Sequence, residues 1–304
     1  MPVPASHLYR LHGLQFESAE RVPGLAPWVD PILGETVEIR FGPVPTRLAE
    51  VEVEDEMFQA NAVEFLLSWP DTARILACGG RCLTVDPEIG CDPVQLWNVV
   101  LNTGASIAGF QRGHVPLHAS SVVTPTGAVA LAGRSGVGKS TLTAALMERG
   151  LPLFTDDLCL VRCDEDGSIV GGGVPELRLW ADAIEKLGWS SSESVGAQAT
   201  IPKFIFRRPE AQSRDMPLRR VYALGFSGNG LDAGIRRLQG IQAMQVLVDR
   251  MRLRMDLLPT TGRRAIFEGL VAIAAQVEIF QFIRPNGYDH FEVWLDALTD
   301  HIAI

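Results

Sequence analysis

Residues 128–141 read Ala-Val-Ala-Leu-Ala-Gly-Arg-Ser-Gly-Val-Gly-Lys-Ser-Thr. An apolar run, Ala128 to Ala132, leads into a glycine-rich stretch, and a helix-like segment follows from Leu142 to Arg149. Gly133, Gly138, Lys139 and Ser140 fit the pattern G-x-x-x-x-G-K-S/T. Between strand and helix, such a stretch lets backbone N–H groups curl around an anion with no Cβ in the way. The helix N-terminus adds its positive dipole end. Ser135, Gly136, Val137 and Thr141 complete the expected cradle. Lys139 is expected to reach the β- and γ-phosphates of a nucleotide, and the Ser140 hydroxyl to ligate Mg²⁺.

The bulk of the chain agrees with an ordinary globular protein. It has 304 residues, 47% hydrophobic and 21% charged, enough for one large or two moderate domains. No basic-then-apolar segment opens it, and no apolar run is long enough to span a bilayer, so a cytoplasmic protein without membrane contact is expected. Cys78, Cys82, Cys91, Cys159 and Cys163 form no C-x-x-C pair and read as reduced thiols, not a zinc site. The net charge of −9 conceals a split. Residues 1–113 carry 15 acidic and 7 basic groups, whereas residues 203–264 carry 13 basic and 5 acidic. Aromatic residues do not interleave the basic ones, which argues against nucleic acid. An anionic ligand, electrostatic docking between the two parts, and simply a solvated arginine-rich face are the readings that remain.

Working outward from the loop, residues 1–91 read as a β-rich (α+β) domain. His7 to Glu17 suggests a strand with a bulge or kink at Gly13, and Ala73 to Val85 a hairpin across Gly79-Gly80. Asp92-Pro93 is an N-cap followed by proline at the first helical position. It opens an amphipathic connecting helix over 92–113. Residues 114–304 hold the loop within an α/β catalytic domain. There Leu117 to Val123 reads as one strand, and Gly171-Gly172-Gly173 precedes a helix at Ala181 to Leu187.

On the next strand after the loop's helix comes the acidic pair Asp156-Asp157, its first member only 17 positions beyond Lys139. An N-K-x-D motif is absent, which disfavours a GTPase. Two carboxylates beside a triphosphate can divide the labour, one serving the metal and one accepting a proton from an attacking hydroxyl. On a regular strand they would face opposite ways, so a shared site requires a turn or bulge.

These residues resemble a known group. His118 in Pro-Leu-His-Ala-Ser-Ser-Val, the loop, Arg149-Gly150, Thr155-Asp156-Asp157 and Glu176-Leu177-Arg178 match the catalytic domain of HPr serine kinase/phosphorylase in order and spacing. The P-loop core is similar to that of phosphoenolpyruvate carboxykinase. Arg134, Thr141 and Leu179-Trp180 depart from that pattern. The layout around Gln111 to Ser120 looks more like the HPr-kinase-like enzymes associated with lasso-peptide biosynthesis. The resemblance implies ATP, Mg²⁺ and transfer of phosphate to a hydroxyl, a serine of a precursor peptide or protein. By position it implies Asp156 as general base with His118 beside it, and Ser140, Asp157 and Glu176 around the metal. Arg178 is expected on phosphate. The two aspartates can exchange roles. Lys203, Arg207, Arg208, Arg219 and Arg220 are offered for the acceptor's carboxylate. A homo-oligomer is also implied. The competing readings are a nucleotide-gated binding module with little catalysis and a kinase of small metabolites.

Overall fold

In the computed structural model, which describes residues 6–29, 35–197, 203–208, 214–228 and 232–303, the segment expected as an amphipathic connector is buried on all sides from Val99 to Phe110. Asp92 caps it, accepting from the Val94 N–H at 2.9 Å. It runs as α1 (Pro93–Asn98), a π-helical stretch (Val99–Gly104) and α2 (Ala105–Gln111). Every residue of the π-helical stretch is buried. A helix buried all round carries no polar stripe, and here Leu96, Trp97, Val99, Val100, Leu101, Ile107 and Phe110 fill the core in several directions. The wider turn has a local cause to persist. The Ser106 hydroxyl donates to the Asn102 carbonyl at 2.6 Å, taking up one carbonyl of the irregular ladder.

On one side of this segment lies an eight-stranded sheet. It comprises β1 (His7–Leu11), β2 (Leu14–Ser18), β3 (Thr36–Phe41), β4 (Val53–Glu54), β5 (Phe58–Ala60), β6 (Glu64–Trp69), β7 (Ala73–Cys78) and β8 (Cys82–Pro87). Their order is β1-β2-β3-β8-β7-β6-β5-β4. Strand alternation buries Ala73, Ile75 and Ala77 of β7. The expected bulge or kink at Gly13 is instead a two-residue hairpin turn. His12 and Gly13 both have positive φ, 55° and 75°, the backbone that tight antiparallel turns require.

On the other side lie β9 (Val115–Leu117), β10 (Ala119–Thr124), β11 (Gly127–Ala132), β12 (Leu153–Thr155), β13 (Cys159–Asp164) and β14 (Gly167–Gly171). A separate ribbon contains β15 (Glu176–Trp180), β16 (Gly196–Ala197) and β17 (Lys203–Arg207). The larger sheet is completed by β18 (Asp215–Phe226), β19 (Gly234–Leu238) and β20 (Glu278–Arg284). The single strand expected over Leu117 to Val123 is broken at His118, so β9 pairs with β13 while β10 pairs with β11 and β12. All six residues of β11 are buried, as befits an apolar central strand. β11, β18 and β20 run parallel, in that order. Around them pack α3 (Lys139–Glu148), α4 (Ala181–Leu187), α5 (Gly240–Asp249), α6 (Thr260–Gln276) and α7 (Phe291–Ala303). Leu142 and Leu146 of α3 share a cluster with Leu295 and Leu298 of α7. The architecture is mixed α/β.

The charge split joins the two parts only loosely in the sense its signs suggest, with Glu52 near Arg263 and Asp55 near Arg254. Among the described residues, the ion pair joining residues 1–113 to 203–264 is Arg10–Asp215 at 3.1 Å, each partner drawn from the minority sign of its region. None of the described helices is long and apolar enough to cross a membrane.

Candidate functional site

Parallel strands bring their carboxyl ends to one edge, and in open α/β sheets ligands bind there. Here that edge carries the glycine-rich loop after β11, Phe226 at the end of β18 and Arg284 at the end of β20. Together they border a cleft of about 400 Å³. Gly138 enters α3 with φ +90°, and a Cβ there would lie 2.6 Å from Arg284 Nη2. Arg284 in turn donates to the Val137 carbonyl at 3.1 Å, so a strand end braces the loop from behind. Lys139 folds back onto the loop, donating to the Gly133 and Arg134 carbonyls at 2.9 and 3.3 Å. Burial pushes the Lys139 ammonium down to about 8, the nearby Lys203 and Arg252 adding to the effect, although Asp157 and Asp156 oppose it. A buried cation in that condition gains from an anionic ligand.

The two aspartates do share the cleft, and the backbone explains how. Asp157 takes a left-handed φ of 71°, and the Leu158 N–H donates to the Asp156 carbonyl at 2.9 Å. This bend turns both carboxylates to the loop side instead of opposite faces. Their surroundings differ. Asp156 is 6% exposed, and its Oδ1 accepts from the hydroxyls of Ser140, at 3.0 Å, and Ser120. Its Oδ2 accepts from the Arg178 N–H at 3.1 Å. Asp157, with a third of its side chain exposed (33%), meets His118 Nε2 at 3.0 Å through Oδ1 and Arg252 Nη1 at 2.8 Å through Oδ2. Burial raises the Asp157 pKa, but Arg252, His118 and Lys139 together hold it well below the usual carboxylate range.

His118 therefore lies beside Asp157, not beside Asp156 as expected. The expected metal set is not assembled either. Ser140 bonds to Asp156, Asp157 is held by His118 and Arg252, and Glu176 faces a smaller neighbouring cavity. There Glu176 is gripped by Arg178 at 3.2 Å and Arg207 at 3.4 Å. Among the described residues, no group of three or more His, Cys, Asp or Glu side chains clusters as a metal site. A phosphate-bound Mg²⁺ needs only one or two protein oxygens, and Ser140 and Asp156, side by side in the cleft, are the residues that could offer them. Arg178 lines the cleft.

Of the basic residues offered for an acceptor, only Lys203 lines this cleft. Arg207 pairs with Glu176, and Arg208 stacks on the Trp189 ring at 4.4 Å. Arg219 donates to the Thr126 carbonyl, and Arg220 pairs with Glu278.

Three contributors had no sequence signal. Arg252 follows α5 and also reaches Thr103 Oγ1 of the π-helical stretch at 3.1 Å. Arg284 is described above. His12, at the tip of the β1–β2 hairpin, is 1% exposed, its ring nitrogens directed at the backbone of Leu101 and Leu158 without closing well-formed hydrogen bonds. Burial, then Arg252, lowers its pKa to about 4, so it is neutral near pH 7. The N-terminal part also furnishes one wall of the cleft through Trp69, with Gln95 and Asn98 of α1 beside it.

No family model and no curated protein matches this sequence. Among solved structures, the chain is similar to the HPr(Ser) kinase/phosphatase of Coxiella burnetii, with 13% identity and a TM-score of 0.32. The match covers 62% of this chain and 90% of that one. The functional reading accordingly rests on the cleft's own residues.

Proposed function

We propose that this chain is an ATP-dependent phosphotransferase whose acceptor is a hydroxyl, a serine of a peptide or protein. The carrying observation is the division of the two adjacent aspartates, Asp156 on Ser140 of the loop and Asp157 on His118. In this reading the loop amides and Lys139 hold the triphosphate. Ser140 and Asp156 would hold Mg²⁺, which when bound neutralises charge on the phosphates. The acceptor oxygen forms its bond to the γ-phosphorus as the bond to the β–γ bridging oxygen breaks. Its proton passes to Asp157, oriented by His118 and Arg252. Asp157 is favoured over Asp156 as base because Asp156 is the more buried of the two and sits on Ser140, where it serves the metal, whereas a third of the Asp157 side chain (33%) is exposed. Trp69, Gln95, Asn98 and Trp180 border the space left for the acceptor and offer the mix of rings and amides that suits a peptide.

Incubating the protein with γ-labelled ATP and Mg²⁺, in parallel with serine-containing peptides and with small hydroxylated metabolites, tests this reading. Label is expected in a peptide. Label in no acceptor, with ATP merely bound, would return the chain to the class of nucleotide-gated modules.

The low pKa of Lys139 gives an independent expectation for binding. Below pH 8 the ammonium is charged and the triphosphate finds its counter-charge; above it the group is neutral. ATP affinity should therefore fall above pH 8, by at most about tenfold per pH unit. Binding there takes up a proton, which titration calorimetry detects as a heat that changes with the buffer.

A further inference from the structure

Lys203 opens β17, directly opposite Trp180 of β15. Residues two apart on a strand share a face, so this ribbon displays Glu176, Arg178 and Trp180 against Arg207, Ile205 and Lys203. Its other face, Leu177, Leu179 and Phe206, is buried against α3 and α4. The charged face carries three cations and one carboxylate, and that carboxylate is taken by Arg178 and Arg207. Lys203 instead lies over the Trp180 ring, its Nζ 5.5 Å from the centroid, and projects into the cleft. Among the described residues no carboxylate comes within ion-pairing distance of it.

The other cleft cations divide in a telling way. Arg252 is committed to Asp157 and Arg178 to Glu176. Lys139 and Arg284 hydrogen-bond to carbonyls of the loop or its neighbours, Arg284 also lying over the Phe226 ring at 4.9 Å, and among the described residues neither is ion-paired with a carboxylate. Lys203 is the third such cation, and it comes from the ribbon, a different element from the loop. The ribbon is tied to the chemistry by its backbone, because the Arg178 N–H donates to Asp156.

We propose that Lys203 is a catalytic residue that meets the transferring phosphoryl group from the ribbon side, facing Lys139 across the cleft. This rests on the phosphotransferase reading above. Charge on the equatorial oxygens spreads as the phosphoryl group leaves one oxygen for the other. A second, pre-placed ammonium there stabilises that distribution more than it does the bound nucleotide. The crowding of Lys139 by Lys203 is consistent with both cations serving one anion.

The test needs no acceptor. Affinities of the full chain for Mg·ADP alone, and for Mg·ADP with aluminium fluoride as a planar mimic of the transferring group, are measured for wild type, Lys203→Met and Lys203→Arg. Lys203→Met should leave Mg·ADP affinity within about twofold and weaken the aluminium fluoride complex by about thirtyfold or more, and Lys203→Arg should restore most of that loss. Equal weakening of both complexes, or of neither, overturns the assignment. So does a wild-type protein that binds Mg·ADP and gains nothing from aluminium fluoride, an outcome that leaves nucleotide binding intact. A wild-type protein that does not bind Mg·ADP sinks the phosphotransferase reading itself, and Lys203 with it.

Discussion

Asp157→Asn should lower phosphoryl transfer by about 10²- to 10⁴-fold while Mg·ATP affinity stays within about threefold. The amide keeps the size and one carbonyl oxygen of the carboxylate but cannot take up the acceptor's proton. Asp156→Asn should behave differently. It removes the negative charge and replaces one of the two accepting oxygens with an NH2 donor, so the Ser120 and Ser140 hydroxyls and the Arg178 N–H can no longer all be accepted and Mg²⁺-dependent binding weakens along with turnover. Equilibrium binding and single-turnover transfer, measured on both variants, separate the two roles. If Asp157→Asn transfers at the wild-type rate, the proton goes elsewhere. The pH dependence carries a sign that can be checked alongside. Asp157 has a folded pKa depressed below its unfolded value, so its stabilising contribution is fully present above the ordinary carboxylate pKa of about 3.9. That contribution is lost as pH falls through the depressed folded value. The base accordingly stays ionised throughout the neutral and mildly acidic range.

How much of this was legible in the sequence follows from how local each feature is. The loop depends on contiguous residues, Gly133 to Thr141, and its strand and helix were read in place. So was the Asp156-Asp157 pair, together with the need for a bend to bring the two carboxylates into one site. The pairing within the site was not, because it depends on atoms brought from elsewhere. His118 reaches Asp157 only because the strand breaks at His118, whose N–H donates to the Arg250 carbonyl at 2.7 Å. That break is made by the turn after α5, where Met251 bridges to Leu117 and the Arg252 N–H bonds to the Pro116 carbonyl. The same turn delivers Arg252, 95 positions from Asp157, and no spacing rule foretells it. Glu176 illustrates the converse error. A carboxylate two positions before Arg178, on the same strand face, suggests a metal ligand, yet Arg178 and the cross-strand Arg207 both pair with it, and it borders another cavity. The segment 92–113 was legible as helix from its cap, but its environment was not. Its apolar residues satisfy a helical stripe and also a core on every side, and only the second sheet decides between them.

Gly171→Ala is expected to lower the midpoint of thermal unfolding by about 5–10 °C, taking overpacking at about 2–3 kcal/mol and a domain of this size. The reason lies in the triple glycine that had no evident purpose in the sequence. A Cβ on Gly171 would lie 1.9 Å from the Gly13 nitrogen, 2.4 Å from its Cα and 2.6 Å from the His12 carbonyl carbon. All three are backbone atoms, so no flexible side chain can swing aside, and the hairpin tip must back out. Backing out breaks the bond from the His12 N–H to the Gly172 carbonyl, 2.7 Å, and loosens the Arg10–Asp215 pair beside it. It also withdraws the His12 imidazole from its buried place near Leu158, the residue after Asp157. Gly42→Ala is the matched control. Gly42 has no atom within 4 Å of an added Cβ, so its midpoint should not fall. Circular dichroism melts of the two variants read the contrast directly, and a Gly171→Ala midpoint equal to that of Gly42→Ala would mean the hairpin is not seated against the glycines. Because the same hairpin brings His12 under the aspartate bend, lost transfer at a temperature where Gly171→Ala is still folded would tie the N-terminal sheet to the chemistry.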